Sequence, residues 1–259
     1  MEKINLTENI TIKTVEDTAT RGVFDIEGLY HGYGLTVGNA LRRVLLSSLP
    51  GAAITQIKIK GVGHEFSTIK GVLEDVVELT LNLKKIRFNF DGGSEPETLT
   101  LKAKGEGEVT GKDISHTGRA EVVNKDAHIA TISEKGTELE IEITVERGLG
   151  YVPSEAFKKE TLPVGVIQLD ATFSPVKSVN FTVEDMRVGG YTDYNRVRFV
   201  IETDGGITAT EAMARGTQIF KEHVDAIANQ LGGAPSASPV MEEDEEVVEK
   251  PKKKATKKK

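Results

Sequence analysis

The sequence predicts an α+β fold built mostly on antiparallel sheet, and three observations carry that expectation. Short runs with two-residue alternation or β-branched enrichment recur along most of the chain. Only three segments show helical periodicity, and they do not alternate strand by strand as βαβ units would. Gly, Asp and Asn clusters punctuate the runs at Asp91-Gly92-Gly93, Asn124-Lys125-Asp126 and Asp204-Gly205-Gly206, as turns require.

Strands are expected at residues 10–13, 54–60, 86–90, 139–145, 164–173, 179–183 and 197–202, with a shorter one at 24–27. The run 139–145 is the cleanest, apolar on one face and polar on the other, like a half-buried antiparallel strand. A first helix is expected over 37–49, with Val37, Ala40, Leu41, Val44 and Leu45 as its stripe and Pro50-Gly51 as its stop. A second is expected over 72–83, through Val72, Val76, Leu79 and Leu83. The third is expected over 210–231, opened by Thr208 and Glu211 in capping-box spacing. Its stripe of Ala212, Gly216, Ile219, Phe220, His223, Val224, Ile227 and Leu231 is wide for a helix that ends a fold. Beyond it Gly232-Gly233-Ala234-Pro235 begins a flexible linker, so 232–259 reads as a disordered linker and charged tail.

Composition narrows the function. The 259 residues are 38% hydrophobic and 28% charged, ordinary values for a globular chain with a real core. Without Cys there is no disulfide framework, thiolate metal site or Cys nucleophile. No signal peptide opens the chain and its apolar runs are too short to span a bilayer, so a cytoplasmic protein without membrane contact is expected. The net charge is −7; residues 241–259 hold six acids against seven Lys, leaving the remainder near −8. An acidic body argues against a domain that grips DNA by itself.

A catalytic reading finds no support. Gly32-Tyr33-Gly34-Leu35-Thr36-Val37-Gly38 has the glycines of a phosphate loop but the wrong spacing and no following Lys; it reads as a turn feeding a helix. The five His (His31, His64, His116, His128 and His223) show no ligand spacing, and His223 reads as a packed core or interface residue. Glu74, Asp75 and Glu78 read as carboxylates on a solvated face near Lys84 and Lys85. No nucleophile elbow and no close Asp cluster for two magnesium ions occurs. No cofactor, metal or catalytic residue is expected.

Two helices show a second face. At roughly 100° per residue, Arg42 and Arg43 flank Leu46, with Asn39 close by, opposite the Val37-Leu41-Val44 stripe. An apolar anchor in a polar surround suits a protein interface; a surface helix with one stray Leu is the alternative. On the second helix Glu74, Glu78, Leu81 and Lys85 lie opposite the apolar stripe, which fits an ordinary solvated face or a second docking patch.

The stretch from His31 through Gly38-Asn39-Ala40-Leu41-Arg42-Arg43 to Pro50-Gly51 closely resembles the signature of the bacterial RNA polymerase alpha-subunit family. Gly61-Val62-Gly63-His64-Glu65-Phe66-Ser67-Thr68, Glu74-Asp75-Val76, Leu81-Asn82-Leu83-Lys84, Arg147-Gly148-Leu149-Gly150-Tyr151-Val152-Pro153 and Phe173-Ser174-Pro175-Val176 agree, in order, over nearly all of 1–231. The resemblance implies a dimerisation subdomain of 1–50 plus 177–231, with a mainly antiparallel β subdomain, 51–176, inserted into it. It also implies a homodimer held through Tyr33, Val37, Val44, Phe220, Val224 and Ile227. Asn39, Arg43 and Leu46 would then contact the beta subunit, and Glu78 and Lys84 beta-prime, within a complex that also holds omega and sigma and meets DNA as a whole. Such a subunit scaffolds assembly, while the catalytic acids and metals belong to beta-prime. The family's C-terminal helical DNA-binding domain has no counterpart after the linker here, which puts promoter-element contact by this chain in doubt. The rival readings are a standalone dimeric interaction protein and a nucleic-acid binder acting through the Lys-rich tail.

Overall fold

A computed structural model of the chain describes residues 6–90, 93, 95–157 and 163–232. In chain order it has β1 (Thr11–Asp17), β2 (Arg21–Leu29), α1 (Tyr33–Ser47), β3 (Pro50–Ile59), α2 (Val76–Leu83), β4 (Phe88–Phe90) and β5 (Glu97–Lys104). There follow β6 (Gly107–Thr110), β7 (Ala120–Val122), β8 (His128–Ile132), β9 (Glu138–Leu149) and β10 (Tyr151–Val152). The described chain closes with β11 (Val166–Gln168), β12 (Ala171–Thr172), β13 (Val176–Val188), β14 (Tyr191–Thr203) and α3 (Ala209–Gln230). The α+β class and the antiparallel character are as expected.

Two apolar cores organise these elements. One sheet runs β1-β2-β14-β13, and Phe24, Ile26, Val179, Val197, Phe199 and Ile201 turn one of its faces against Leu41 and Leu45 of α1 and Ala209, Ala212 and Met213 of α3. Charges occupy other positions of the same strands: Arg198 of β14 holds Asp25 of β2 through two 2.7 Å bonds, and Arg196 pairs with Glu184. The second sheet runs β11-β3-β9-β5. Ile54, Ile57, Leu99, Leu101, Ile141 and Ile143 from it meet Val76, Leu79 and Leu83 of α2 and Ile129 and Ile132 of β8. Its Lys58, Lys60, Lys102, Glu140 and Glu142 form a ladder of ion pairs, and the two lysines beside Glu140 lower its pKa to about 2.

A third, small cluster holds Ala53, Ala171 and Phe173, and it explains two glycines of the sequence signature. Gly51 on β3 pairs with Gly148 on β9. A Cβ on Gly51 would meet the Phe173 carbonyl at 1.9 Å, and one on Gly148 would meet the Phe173 ring at 2.7 Å. Here Gly51 follows the helix stop as part of a strand and makes room for the chain crossing above it.

Several expectations shift. Helix α1 begins at Tyr33, four residues before the expected start, with Gly32 at φ 80° as N-cap. Helix α2 begins only at Val76, because the Asp75 carboxylate accepts the Glu78 amide at 2.7 Å and fixes the N-cap there. The expected strand 164–173 divides into β11 and β12. Strands β5 to β8 were not expected from the sequence; all but β5 are short, with polar or Gly-containing neighbours that weaken the alternation. The helix expected over 210–231 occupies Ala209–Gln230, with Thr208 Oγ1 accepting the Glu211 amide at 3.2 Å. Expectations for Asp91, Gly92, the linker from Gly233 and the charged tail lie outside the described residues.

Candidate interaction surfaces

Glycine fixes how α1 lies. Gly34 and Gly38 are buried one turn apart, and Cβ atoms there would sit 2.7 Å from Val183 and 2.5 Å from the Phe181 ring. The helix therefore rests on β13 through its backbone. Its first amides are occupied too: Asn195 Oδ1 accepts Gly32 N–H at 3.0 Å and Gly34 N–H at 3.3 Å, while Asn195 Nδ2 donates to Asp185. A phosphate would find these donors taken, which closes the glycine-loop reading.

The opposite side of α1 carries Asn39 and Arg43, with Arg42 on the flank, all exposed. Asn39 donates to the Leu35 carbonyl at 3.0 Å. Among the described residues neither arginine side chain has a hydrogen-bond or ion-pair partner. Leu46 departs from expectation. It is half-buried against the α1–α3 core, on the flank of the exposed face, so only part of it can serve as an anchor.

On the other flank lie Tyr33, exposed, and Val37 and Val44, half-buried. Four of the five tyrosines gather here: Tyr30 meets Tyr33 and Tyr194 edge-on at 6.4 and 5.9 Å, and Tyr191 meets Tyr194 at 6.3 Å. This aromatic cluster joins residues far apart in the chain and left no signal in the sequence. Helix α3 packs against α1 through Gly216, whose Cβ would lie 2.7 Å from Leu45. Exposure rises along its stripe: Ala212 and Gly216 are buried, Ile219 and Phe220 half-buried, Val224 and Leu231 exposed, and Ile227 is 61% exposed. His223 is exposed as well, which removes the core half of its expected role as a core or interface residue.

Helix α2 departs further from expectation. Glu78 is exposed and Leu81 is 53% exposed, as a second face requires. Val77 shares this side of the helix at four-residue spacing, and Leu73, just before the helix, is also exposed. Glu74, expected on a solvated face, is only 7% exposed. Its carboxylate accepts Thr131 N–H at 2.6 Å, Thr131 Oγ1–H at 3.1 Å and His128 Nε2–H at 2.9 Å. Burial pushes the Glu74 carboxyl up, but the Thr131 amide, His128 and the other donors outweigh it and hold the pKa below the usual range. His128 Nδ1 lies 2.9 Å from Glu108, and its two carboxylates, Glu74 above all, raise its pKa. Lys84 is half-buried and donates to Asp170 at 3.2 Å; Asp170 also accepts the Ser154 amide, which with Lys84 lowers its pKa. Lys84 is thus partnered within the chain, and Glu78 is the freer of the two residues expected to contact beta-prime.

No group of three or more metal-capable side chains occurs among the described residues, and no helix among them is long and apolar enough to cross a membrane. What the chain offers is surface: an arginine face on α1, an apolar flank on the same helix, exposed apolar positions on α3, and exposed apolar residues on α2.

Residues 57–174 match the family described as the RNA polymerase Rpb3/RpoA insert domain. The chain is 46% identical over 236 residues to the DNA-directed RNA polymerase subunit alpha of Symbiobacterium thermophilum, covering 91% of this chain and 74% of that one. It is 44% identical over 245 residues to the subunit alpha of Oceanobacillus iheyensis and 46% identical over 245 residues to that of Clostridium perfringens, covering 94% of this chain and 77% of each relative.

Proposed function

Because the chain belongs to the family of DNA-directed RNA polymerase alpha subunits, we propose that it homodimerises and starts assembly of the polymerase core by recruiting beta and then beta-prime, without a catalytic group of its own. The observation that carries this reading is α1: its inner side is locked to the sheet by Gly34 and Gly38, and its outer side presents Arg43, with Arg42 on the flank, both side chains without partners among the described residues. Arginine presented this way suits bidentate pairing across an interface. Asn39, Arg43 and the exposed part of Leu46 form the beta contact. Glu78 heads the beta-prime contact, with Lys84 at its edge.

The dimer forms through Tyr33, Val37, Val44, Phe220, Val224 and Ile227. The progressive exposure of the α3 stripe supports this, since an apolar row that outruns its own core needs a second surface to cover it. The separate cores support a dimerisation subdomain of 1–50 and 177–231 around an inserted 51–176. DNA, omega and sigma are met within the assembled complex.

Reconstitution tests the proposal. Purified chain should sediment as a dimer, bind beta before beta-prime, and restore template-dependent RNA synthesis to a mixture of the two. A monomer that leaves beta and beta-prime unassembled would contradict it.

A further inference from the structure

Three carboxylate and imidazole groups outside the α1 face form a connected array that the assembly role leaves unused. Glu74 precedes the N-cap of α2, His128 stands at the start of β8, and Glu108 lies on β6. Both ring nitrogens of His128 reach a carboxylate at 2.9 Å, Nε2 to buried Glu74 and Nδ1 to exposed Glu108. A neutral imidazole has one N–H and can satisfy only one of them; its other nitrogen would set a lone pair against an anion. Both contacts at once require the imidazolium.

We infer that Glu74, His128 and Glu108 form a proton-held latch that positions α2 for its partner, so that docking on α2 is tighter when the imidazole is charged and weaker when it is neutral. This rests on the reading of the α2 outer face as a docking surface for beta-prime.

The chain around α2 shows why Glu74 is the fastening. Leu73 N–H donates to Thr131 O at 3.0 Å, Glu74 takes the Thr131 amide in return, and Val76 N–H donates to Ser67 O at 3.2 Å. Glu74 thus ties the lead-in of α2 to β8, immediately beside Asp75, which sets where the helix starts, and near Leu73 and Val77, both exposed. Loss of the imidazolium removes the counter-charge of a buried carboxylate and releases Glu108 toward solvent. A buried anion left with neutral donors alone is strongly disfavoured, and the lead-in loosens.

Other charges near the array are engaged elsewhere. Asp126 pairs with Lys112, Lys125 with Glu121, and Glu106 with Lys135. Asp113 accepts the Thr110 amide. From α2 and its ends, Asp75 caps the helix, Glu78 is exposed, Lys84 pairs with Asp170 and Lys85 donates to Asn82. Glu74 and Glu108 are the groups that dominate the titration of His128, and both raise its pKa. The latch is therefore complete below the ordinary histidine value of ~6.5 and opens as pH rises through the raised one.

The test pairs a structural with a binding measurement on the full chain. Histidine side-chain NMR should show His128 titrating above its ordinary value, and Glu108→Gln, a change at an exposed site, should move it back part of the way. Affinity for a purified beta-prime fragment should fall with rising pH by at most about tenfold per unit, the limit for one linked proton. In His128→Gln, verified as folded by its melting curve, that slope should vanish, since the amide keeps a donor to Glu74 but no titration. A His128 that titrates at or below the ordinary value overturns the latch. A raised His128 with identical affinity profiles for the wild type and His128→Gln overturns its positioning role. If His128 titrates as expected but the fragment binds at no pH, the docking reading has failed, and the coupling falls with it.

Discussion

Gly38→Ala should destabilise the protein although it places a better helix former in a helix. A Cβ at this position would lie 2.5, 2.7 and 3.0 Å from three atoms of the Phe181 ring. That ring has little freedom to retreat, because it packs against Phe199, fully buried, with centroids 5.7 Å apart. Restoring van der Waals distance needs a shift on the order of 1 Å between α1 and β13. Overpacking of this kind costs ~1–3 kcal/mol, against ~1 kcal/mol gained in helix propensity. The net is a loss of up to about 2 kcal/mol, or as much as roughly 8 °C in Tm for a chain of this size. Thermal unfolding followed by circular dichroism, at matched protein concentration because any self-association would shift Tm, reads the effect. Phe181→Leu in the Gly38→Ala background should return part of the loss, with a coupling of ~1 kcal/mol. A Gly38→Ala protein at or above the wild-type Tm, or strictly additive losses in the double variant, would refute the argument that these glycines seat α1.

Other perturbations separate fold from interface. Ile227→Asp should give a folded monomer by sedimentation, because Ile227 is exposed in one copy, whereas Phe220→Asp should also lower Tm because Phe220 packs on its own core; an unchanged dimer for both would remove the stripe from the interface. The purified chain alone should neither polymerise nucleotides nor bind magnesium tightly, and template-dependent synthesis by the isolated dimer would overturn that. Asp25→Asn should cost ~1–2 kcal/mol by denaturant titration, a figure reduced for the partial exposure of Arg198. Arg198 holds the Asp25 pKa below its usual range, so this contribution is present above pH ~4 and fades as pH falls through the lowered value. The acid limb of the variant's stability curve should accordingly be shallower than that of the wild type.

Much of this was legible in the sequence because periodicity reports one-sided burial. The 139–145 alternation became the interior of β9, and the α3 stripe was visible as wider than one core could use. What was not legible depends on partners distant in the chain. Glu74 looks like any acid beside a helix until Thr131 and His128, more than fifty residues on, bury it. Gly32 and Gly34 are poor helix residues and hide the start of α1 in the sequence, and Asn195 supplies the acceptor that makes them a helix entry. Helical angle points Leu46 to the outer face, but packing against the apolar core that α1 covers turns its flank inward. The signal that could have corrected α1 was present: two glycines four residues apart mark a close backbone approach, and they stand on the side opposite Arg43.

The most direct measurement of the assembly role is the affinity of beta for Arg43→Ala. Arg43 is exposed and its side chain has no partner among the described residues, so its truncation should leave Tm and self-association nearly unchanged. Loss of an arginine from a desolvated pair across an interface typically costs ~2–5 kcal/mol, about thirtyfold to several-thousandfold in Kd. Arg43→Lys should recover only part of that, since an ammonium cannot reproduce the planar fork, and Arg42→Ala serves as the neighbouring comparison. Pull-down of beta by each variant, with Tm and sedimentation in parallel, should show a folded dimer that no longer retains beta. An Arg43→Ala protein that binds beta as the wild type does, or loses it only by unfolding, would contradict the assignment of this face.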